Sequence, residues 1–207
     1  MTKKQLLIAT HNPAKKQELG FGFSSILSSG IKLLFLDDVH INNDPEETGK
    51  TFFDNAKLKA EYFSSLSNLP TIADDGGIEI DILDGAPGVH SKRWLGRDAA
   101  DSEMIAYTLQ QLDGIPPIKR TAQFTVCLYY HNPLTGYSKS ITESLRGHIA
   151  LSPSGYARKG FPYRALFIVS EYNKYYDELT DEEHHAVNHR LQALQKLTPF
   201  INKDLLQ

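Results

Sequence analysis

The sequence has few of the residues that stabilise secreted proteins or cross membranes. Its 207 residues include one cysteine, Cys127, so no disulfide can form within the chain, and a cysteine-based zinc site would lack its other ligands. The apolar run near the start, Leu6 to Ala9, is far shorter than a signal-peptide core or the ~20 residues of a membrane helix. These absences favour a cytoplasmic protein with no membrane partner.

Charge of one sign is not in excess either. The chain has 22 Lys and Arg against 25 Asp and Glu, a net charge of -3, which argues against a purely electrostatic binder of nucleic acid. With 41% hydrophobic residues and no repeat or low-complexity segment, the composition is that of a globular protein. The length predicts a single domain over residues 1–207, or two tightly joined lobes.

Strand and helix patterns alternate in the first half of the chain, and a long hairpin follows. The run 6–9 and the alternation at 122–130 predict strands, with a return strand up to Gly147. Thr51 followed by Asp54 is typical of a helix start. The order predicts an α/β protein with a mixed, strongly twisted sheet flanked by helices.

Two boundaries matter for function. We expect the strand at 71–73 to end at Asp74, before Gly76 and Gly77. We also expect the capping box at Thr180 to begin one amphipathic helix that continues through Leu197.

The turn after the first strand is a candidate phosphate site. It contains Thr10, His11, Asn12 and Lys15, where a strand leads into a helix N-terminus. Free backbone N–H groups, side-chain donors and the lysine charge would favour an anion there. A helix start with solvated lysines explains the same residues, and both readings stay open.

Two acidic pairs could hold a hard cation. Glu46 and Glu47 precede a Thr-Gly turn, and Asp74 and Asp75 end an apolar strand. Mg²⁺ is commonly bound by one or two carboxylates together with substrate phosphates. Because successive strand residues face opposite ways, the aspartates can act together only if the strand has broken at Gly76. An ordinary Asp-Gly turn is the alternative.

Histidines near the C-terminus form a third candidate. His185 and His189 have the spacing of metal ligands on a helix, but no nearby residue in the sequence completes a zinc site. Arg190 with a neighbouring histidine could read a planar ring or a phosphate, or the group could be a polar surface.

A fourth candidate is the aromatic pair Phe161 and Tyr163 beside Gly160. Aromatic side chains in a loop can stack on a nucleobase, although they more often belong to a core.

Taken in order, five segments resemble the inosine/xanthosine triphosphate pyrophosphatases, which remove deaminated purine nucleotides. Residues 47–60 read ETGKTFFDNAKLKA, which is similar almost throughout to Glu-Thr-Gly-x-Thr-Phe-x-Glu-Asn-Ala-x-x-Lys-Ala. Residues 7–15 resemble the family's triphosphate loop, and 73–78, 85–94 and 188–194 resemble three further motifs. The similarity covers nearly the whole chain.

The resemblance implies a two-lobed fold with the active-site cleft between lobes, a homodimer, Mg²⁺ as cofactor and a nucleoside triphosphate substrate. It implies Asp74 and Asp75 as catalytic residues, with Asp75 orienting or deprotonating water, and Glu46, Glu47 and Asp75 as metal ligands. It also implies a substrate-binding set: Thr10, His11, Asn12, Lys15, Lys59, Gly76, Arg93, Phe161, Tyr163, Arg164, His184, His189 and Arg190.

The departures from the family pattern concern the base. Arg164 stands where the family has an aspartate, Pro162 replaces a glycine, Gly76 replaces a serine and His184 replaces a lysine. The sequence therefore predicts a Mg²⁺-dependent nucleoside triphosphate pyrophosphatase with nearly intact triphosphate and Mg²⁺ chemistry and an altered or relaxed base preference. It leaves two alternatives open, namely another modified or pyrimidine base and a nucleotide-binding protein without turnover.

Overall fold

A computed structural model describes residues 4–26, 30–155 and 159–206 of the chain. Within them, seven strands form one sheet in the order β2-β1-β3-β4-β5-β6-β7. The strands are β1 (Lys4–Ile8), β2 (Ile31–Phe35), β3 (Thr71–Ile80), β4 (Thr121–His131), β5 (Ser138–Ile149), β6 (Phe167–Val169) and β7 (Lys174–Tyr175).

The sheet is mixed, as the sequence predicts. β1 pairs in parallel with β2 and β3, whereas β6 pairs antiparallel with β5 and β7. The β4–β5 hairpin is also confirmed, since Asn132 N–H donates to Tyr137 O at 2.9 Å and Ile149 N–H to Arg120 O at 2.8 Å. The two-residue β7 and the three-residue β6 were not predicted, because runs this short carry no periodicity.

Five helices occur in the described residues, and none is long and apolar enough to cross a membrane. They are α1 (Pro13–Ile26), α2 (Phe52–Ser67), α3 (Asp101–Gln111), α4 (Asp181–Val187) and α5 (His189–Leu206). The predicted cap of α2 is confirmed, since Thr51 Oγ1 accepts from Asp54 N–H at 3.1 Å and Asp54 Oδ2 accepts from Thr51 N–H at 3.1 Å.

The chain divides into two compact units. Unit 1 contains Met1–Asp75, Val126–Glu143 and Arg190–Gln207. Its core joins β1, α1 and α5 around side chains that are almost fully buried: Leu6, Ile8, Leu19, Phe23, Ile72, Val126, Leu128, Leu194, Leu197 and Ile201. Gly22 allows α1 to approach α5, because a Cβ at that position would lie 2.7 Å from Cδ2 of Leu191 and of Leu194.

Unit 2 contains Gly76–Thr125 and Ser144–His189. Its core is more aromatic and includes these buried residues: Ile78, Ile80, Met104, Phe124, Ile149, Tyr163, Leu166, Phe167, Tyr176 and Val187. Phe124 lies at the centre of a ring cluster, with its centroid 4.4 Å from that of Phe167 and 5.8 Å from that of Tyr176.

The expected strand break after Asp74 is wrong, because β3 runs without interruption from Thr71 to Ile80. Gly77 serves a close approach instead of a turn. A Cβ on Gly77 would lie 2.7 Å from Gly88 O, and the next residue, Ile78, donates its N–H to Ser91 Oγ at 3.0 Å. Gly77 therefore lets the strand pass against the short 3₁₀ turn at Gly88–Arg93.

The expected single C-terminal helix is also wrong. The Thr180 cap is present, but α4 ends at Val187 and α5 begins at His189. Between them Asn188 leaves helical geometry, with φ -65° and ψ 100°. No glycine or proline marks the break, so the sequence pattern did not reveal it.

Candidate active site

The turn between β1 and α1 is built around Asn12. Its Oδ1 accepts from Ala14 N–H at 2.9 Å and from Lys15 N–H at 3.3 Å, and Thr10 Oγ1 accepts from Asn12 N–H at 3.2 Å. The expectation that free N–H groups begin this helix is wrong at these two amides, because Asn12 caps them. The helix dipole and the Lys15 charge remain as attractions for an anion.

Asp74 lies at the centre of a buried ion network in unit 1. Its Oδ2 is 2.9 Å from Lys15 Nζ and 3.2 Å from Arg190 Nε, and Arg190 Nη1 is 2.8 Å from Glu18 Oε2. The Asp74 side chain is 1% exposed. Burial opposes its ionisation, but Lys15, Arg190 and Lys59 outweigh burial and hold the pKa of Asp74 well below its ordinary value.

Asp75 faces a different set of partners. Its Oδ1 accepts from Lys59 Nζ at 3.0 Å and its Oδ2 from Asn55 Nδ2 at 3.1 Å. Lys59 also contacts Glu47 Oε1 at 2.8 Å, so its charge is divided between two carboxylates. Burial raises the pKa of Asp75 and the nearby Glu47 adds to the rise, against the opposing charges of Lys59 and Lys15.

The pKa of Lys59 moves in the direction that keeps it charged. Burial alone would lower that pKa, but Asp75, Asp74 and Glu47 outweigh burial and raise it above its ordinary value. The surroundings therefore favour the ionised form of Asp74 and oppose the ionised form of Asp75. They keep Lys59 charged between the carboxylates of Glu47 and Asp75.

Asn55 connects the backbone at Gly49, close to Glu47 in the sequence, with Asp75 in β3. The sequence analysis did not predict this role. While its Nδ2 donates to Asp75, its Oδ1 accepts from Gly49 N–H at 2.8 Å. Asn55 and Lys59 are four residues apart on α2, a spacing that places both on one helix face toward Asp75. That spacing was the available signal.

His11 and Glu46 are two further candidates from the sequence. The Nε2 atom of His11 is buried, has no hydrogen-bond partner in the described residues and lies 3.8 Å from Asp44 Oδ1. Glu46 is exposed. No group of three His, Cys, Asp or Glu side chains within the described residues is arranged to hold a metal ion by itself.

Unit 2 contains the candidate base-reading residues. The Arg164 side chain is buried, with Cζ 3.8 Å from the ring centroid of Phe161 and 4.7 Å from that of Tyr176. Tyr163 is buried and donates its hydroxyl to Ser91 O at 2.7 Å, and burial raises its pKa. Tyr163 is therefore part of the unit 2 core, which was the alternative reading of this aromatic residue.

The two candidate histidines have different surroundings. The ring of His184 packs edge-on against Tyr176, with centroids 5.0 Å apart, and the ring of His189 stacks on Phe124 at 5.8 Å and 7°. His185 is exposed and belongs to α4, whereas His189 begins α5, so the spacing argument for a shared helix face fails. Two further candidates in unit 2 are Gly76, half-buried in β3, and Arg93, exposed at the end of a 3₁₀ turn.

Comparison with known proteins places this arrangement in a family. A sequence model described as the Ham1 family matches residues 6–200. A dITP/XTP pyrophosphatase of Bacillus subtilis is 38% identical over 96% of this chain and 97% of its own, and one of Geobacillus kaustophilus is 40% identical over 94% and 92%.

The chain belongs to the Ham1 family. Solved structures agree with this assignment: a Ham1 protein from Coxiella burnetii has a TM-score of 0.84 at 30% identity, covering 97% of this chain and 99% of its own. A nucleoside-triphosphatase / dITP/XTP pyrophosphatase from Mycobacterium abscessus has a TM-score of 0.76 at 37% identity, covering 94% and 99%. The resemblance inferred from the five motifs is confirmed.

Within this Ham1-family chain, the motif segments supply most of the buried ion network. Lys15, Glu47, Lys59, Asp75 and Arg190 all come from segments that carried the resemblance. The departure at Arg164 lies in unit 2, in a buried aromatic setting.

Proposed function

We propose that this protein hydrolyses nucleoside and deoxynucleoside triphosphates, in particular those of deaminated purines such as ITP, dITP and XTP, to the monophosphate and pyrophosphate. The observation that carries the proposal is the buried network in which Asp75 meets Lys59 and Asn55 while Glu47 shares the same lysine. Relatives that are 38–40% identical over most of their length are named dITP/XTP pyrophosphatases.

The residues present fit a hard divalent cation. Glu47 Oε1 and Asp75 Oδ1 both contact the ammonium of Lys59, at 2.8 and 3.0 Å, so the two carboxylates converge on one positive charge. Mg²⁺ commonly takes one or two carboxylates and completes its shell with phosphates and water. Glu47 and Asp75 would hold it, and Glu46 stays a predicted third ligand. When bound, Mg²⁺ neutralises phosphate charge and polarises the phosphoryl group.

The cations of unit 1 suit the triphosphate. Lys15, Lys59 and Arg190 bring three positive charges into a buried site, where charge neutralisation on phosphate oxygens is strong. Thr10, His11 and Asn12 stay predicted contacts to the phosphates. Aligning a water with the α-phosphorus then lets its oxygen bond to phosphorus while the bond to the bridging oxygen breaks and pyrophosphate leaves.

Asp75 is suited to take the proton of that water. Its pKa is raised by burial, which makes it a stronger base than an exposed aspartate, and Asn55 fixes the orientation of its carboxylate at 3.1 Å. Asp74, predicted as a second catalytic residue, has a lowered pKa and two cationic partners. We assign it the role of holding Lys15 and Arg190 in position.

The base would be read in unit 2. Phe161 offers a ring for stacking, and Arg164 and His184 offer donors to oxo groups. Tyr163, His189 and Arg190 stay predicted contacts to the base, Arg93 stays a predicted contact to the triphosphate, and Gly76 stays in the predicted substrate-binding set. Donors to a 6-oxo group favour inosine and xanthosine over adenosine. Because Arg164 replaces an acidic family residue, a shifted base preference is the second candidate, favoured by its buried guanidinium between two rings.

We further propose that residues 1–207 form a single domain that acts as a cytoplasmic homodimer, as the family resemblance implies.

The test is pyrophosphate release with Mg²⁺ from ITP, XTP and the standard ribonucleoside and deoxyribonucleoside triphosphates, each as a separate reaction. Selective turnover of the ITP and XTP class is the expected result. Turnover of a different base would assign the altered specificity to the 3₁₀ turn Pro162–Leu166, which contains Arg164. Tight triphosphate binding with no pyrophosphate release would overturn the enzymatic proposal in favour of a nucleotide-binding protein.

A further inference from the structure

The ammonium group of Lys59 lies between the two carboxylates that the proposed function assigns to the metal. Its Nζ is 2.8 Å from Glu47 Oε1 and 3.0 Å from Asp75 Oδ1, and its side chain is 11% exposed. A cation at these two oxygens and an ammonium in its present place would be adjacent like charges. Such a pair is strongly unfavourable in a buried site.

The carboxylates of the buried network are already paired with cations. Three cations face four carboxylates within 3.2 Å, and every one of these carboxylates contacts at least one of the cations. The cations are Lys15, Lys59 and Arg190, and the carboxylates are Glu18, Glu47, Asp74 and Asp75. A divalent cation arriving alone would therefore have to displace Lys59 from Glu47 and Asp75.

A triphosphate changes this balance. It brings several negative charges, and a lysine on its flexible four-carbon stem can move from carboxylates to phosphate oxygens without moving its helix. Asp75 would not be left bare, because Asn55 Nδ2 still donates to it at 3.1 Å. Lys59 is the cation that contacts both proposed metal ligands, so its movement to phosphate would remove a positive charge from both.

We propose that Lys59 is a mobile counter-ion that excludes the metal from Glu47 and Asp75 until a triphosphate draws its ammonium away. This inference rests on the proposed function and adds an order to it: metal binding at these carboxylates depends on the nucleotide. By linkage, the coupling is reciprocal for the two binding equilibria.

The experiment measures Mn²⁺ affinity, by titration followed with electron paramagnetic resonance, for the full-length wild-type chain and Lys59→Met. Each is titrated alone and with a saturating non-hydrolysable α,β-methylene analogue of ITP. Without analogue, we expect Lys59→Met to bind Mn²⁺ about 10-fold or more tighter than wild type, within the range of ordinary coupling effects. With analogue, the two affinities should become equal within about 3-fold.

The comparison separates a mobile lysine from a fixed one. If Lys59 stayed beside the carboxylates, its removal would change Mn²⁺ affinity by the same factor with and without analogue, and that result would overturn the inference. Equal Mn²⁺ affinities in the absence of analogue would overturn it as well. If the analogue failed to bind wild type at all, the proposed function itself would fall, and the inference with it.

Lys57→Met is the matched control. Lys57 is on the same helix, its side chain is 46% exposed and its Nζ is 3.9 Å from Glu61, outside the network. We expect its Mn²⁺ affinities to equal those of wild type. Circular dichroism checks the fold of each variant, and Lys59→Gln, which keeps polarity without charge, repeats the test should Lys59→Met unfold.

Discussion

Replacing Asp75 by asparagine separates the chemistry of this carboxylate from its contribution to the fold. The side chain accepts from Lys59 at 3.0 Å through one oxygen and from Asn55 at 3.1 Å through the other. In Asp75→Asn the amide oxygen can accept only one of these bonds, and its NH₂ faces the other donor. One unsatisfied contact of this kind costs about 1–3 kcal/mol.

An opposing effect limits the loss of stability. The fold raises the pKa of Asp75 through burial, so the ionised carboxylate is itself unfavourable there, and a neutral side chain relieves that cost. Lys59 also keeps its contact with Glu47 at 2.8 Å. We therefore expect the free energy of unfolding to change by no more than about 2 kcal/mol.

The loss of activity should be much larger than the loss of stability. Removing a metal ligand that also accepts the proton of water should lower kcat by on the order of 10²-fold or more, about 3 kcal/mol of transition-state stabilisation. The assays are pyrophosphate release from ITP and urea unfolding, with exposed Asp113→Asn as the control expected to match wild type. Unchanged turnover in a folded Asp75→Asn variant would refute the assigned role.

Two further predictions concern other parts of the chain. Arg164→Asp should shift selectivity toward ITP, because it replaces the guanidinium 3.8 Å from the ring centroid of Phe161 by the family's acidic residue. The measurement is pyrophosphate release from each nucleoside triphosphate. The same order of rates in wild type and variant would show that Arg164 does not read the base. The lowered pKa of Asp74 means that its ionisation stabilises the fold above its ordinary pKa of 3.8 and that this stability is lost as pH falls from about 5 toward 3. Urea unfolding free energies of wild type should therefore decrease over that range more steeply than those of Asp74→Asn, and parallel slopes would contradict the assignment.

The parts of the fold that the sequence predicted are those with local signals. The helix cap at Thr51 and the strand β4 could each be predicted from a few neighbouring residues, and the structure contains both. The motif segments also contain most of the ion network. In these places the local chemistry and the tertiary structure favour the same conformation.

The predictions were wrong at two places, the strand around Gly76 and Gly77 and the helix boundary at Asn188. Gly76 and Gly77 suggested a turn. At Gly77, however, Gly88 O and Ser91 lie so close to the backbone that a larger side chain would not fit. The helix break at Asn188 contains no glycine or proline from which it could be predicted. Neither the close approach at Gly77 nor the break at Asn188 can be derived from residues that are adjacent in the chain.

The continuous strand has a consequence for chemistry that the expected break would have prevented. In β3 the side chains of Asp74 and Asp75 face opposite ways, so each meets different cations. Asp74 meets Lys15 and Arg190 and is held ionised, whereas Asp75 receives only a share of Lys59 and has a raised pKa. Two identical side chains, adjacent in sequence, thus become a structural anion and a candidate base because strand alternation gives them different neighbours.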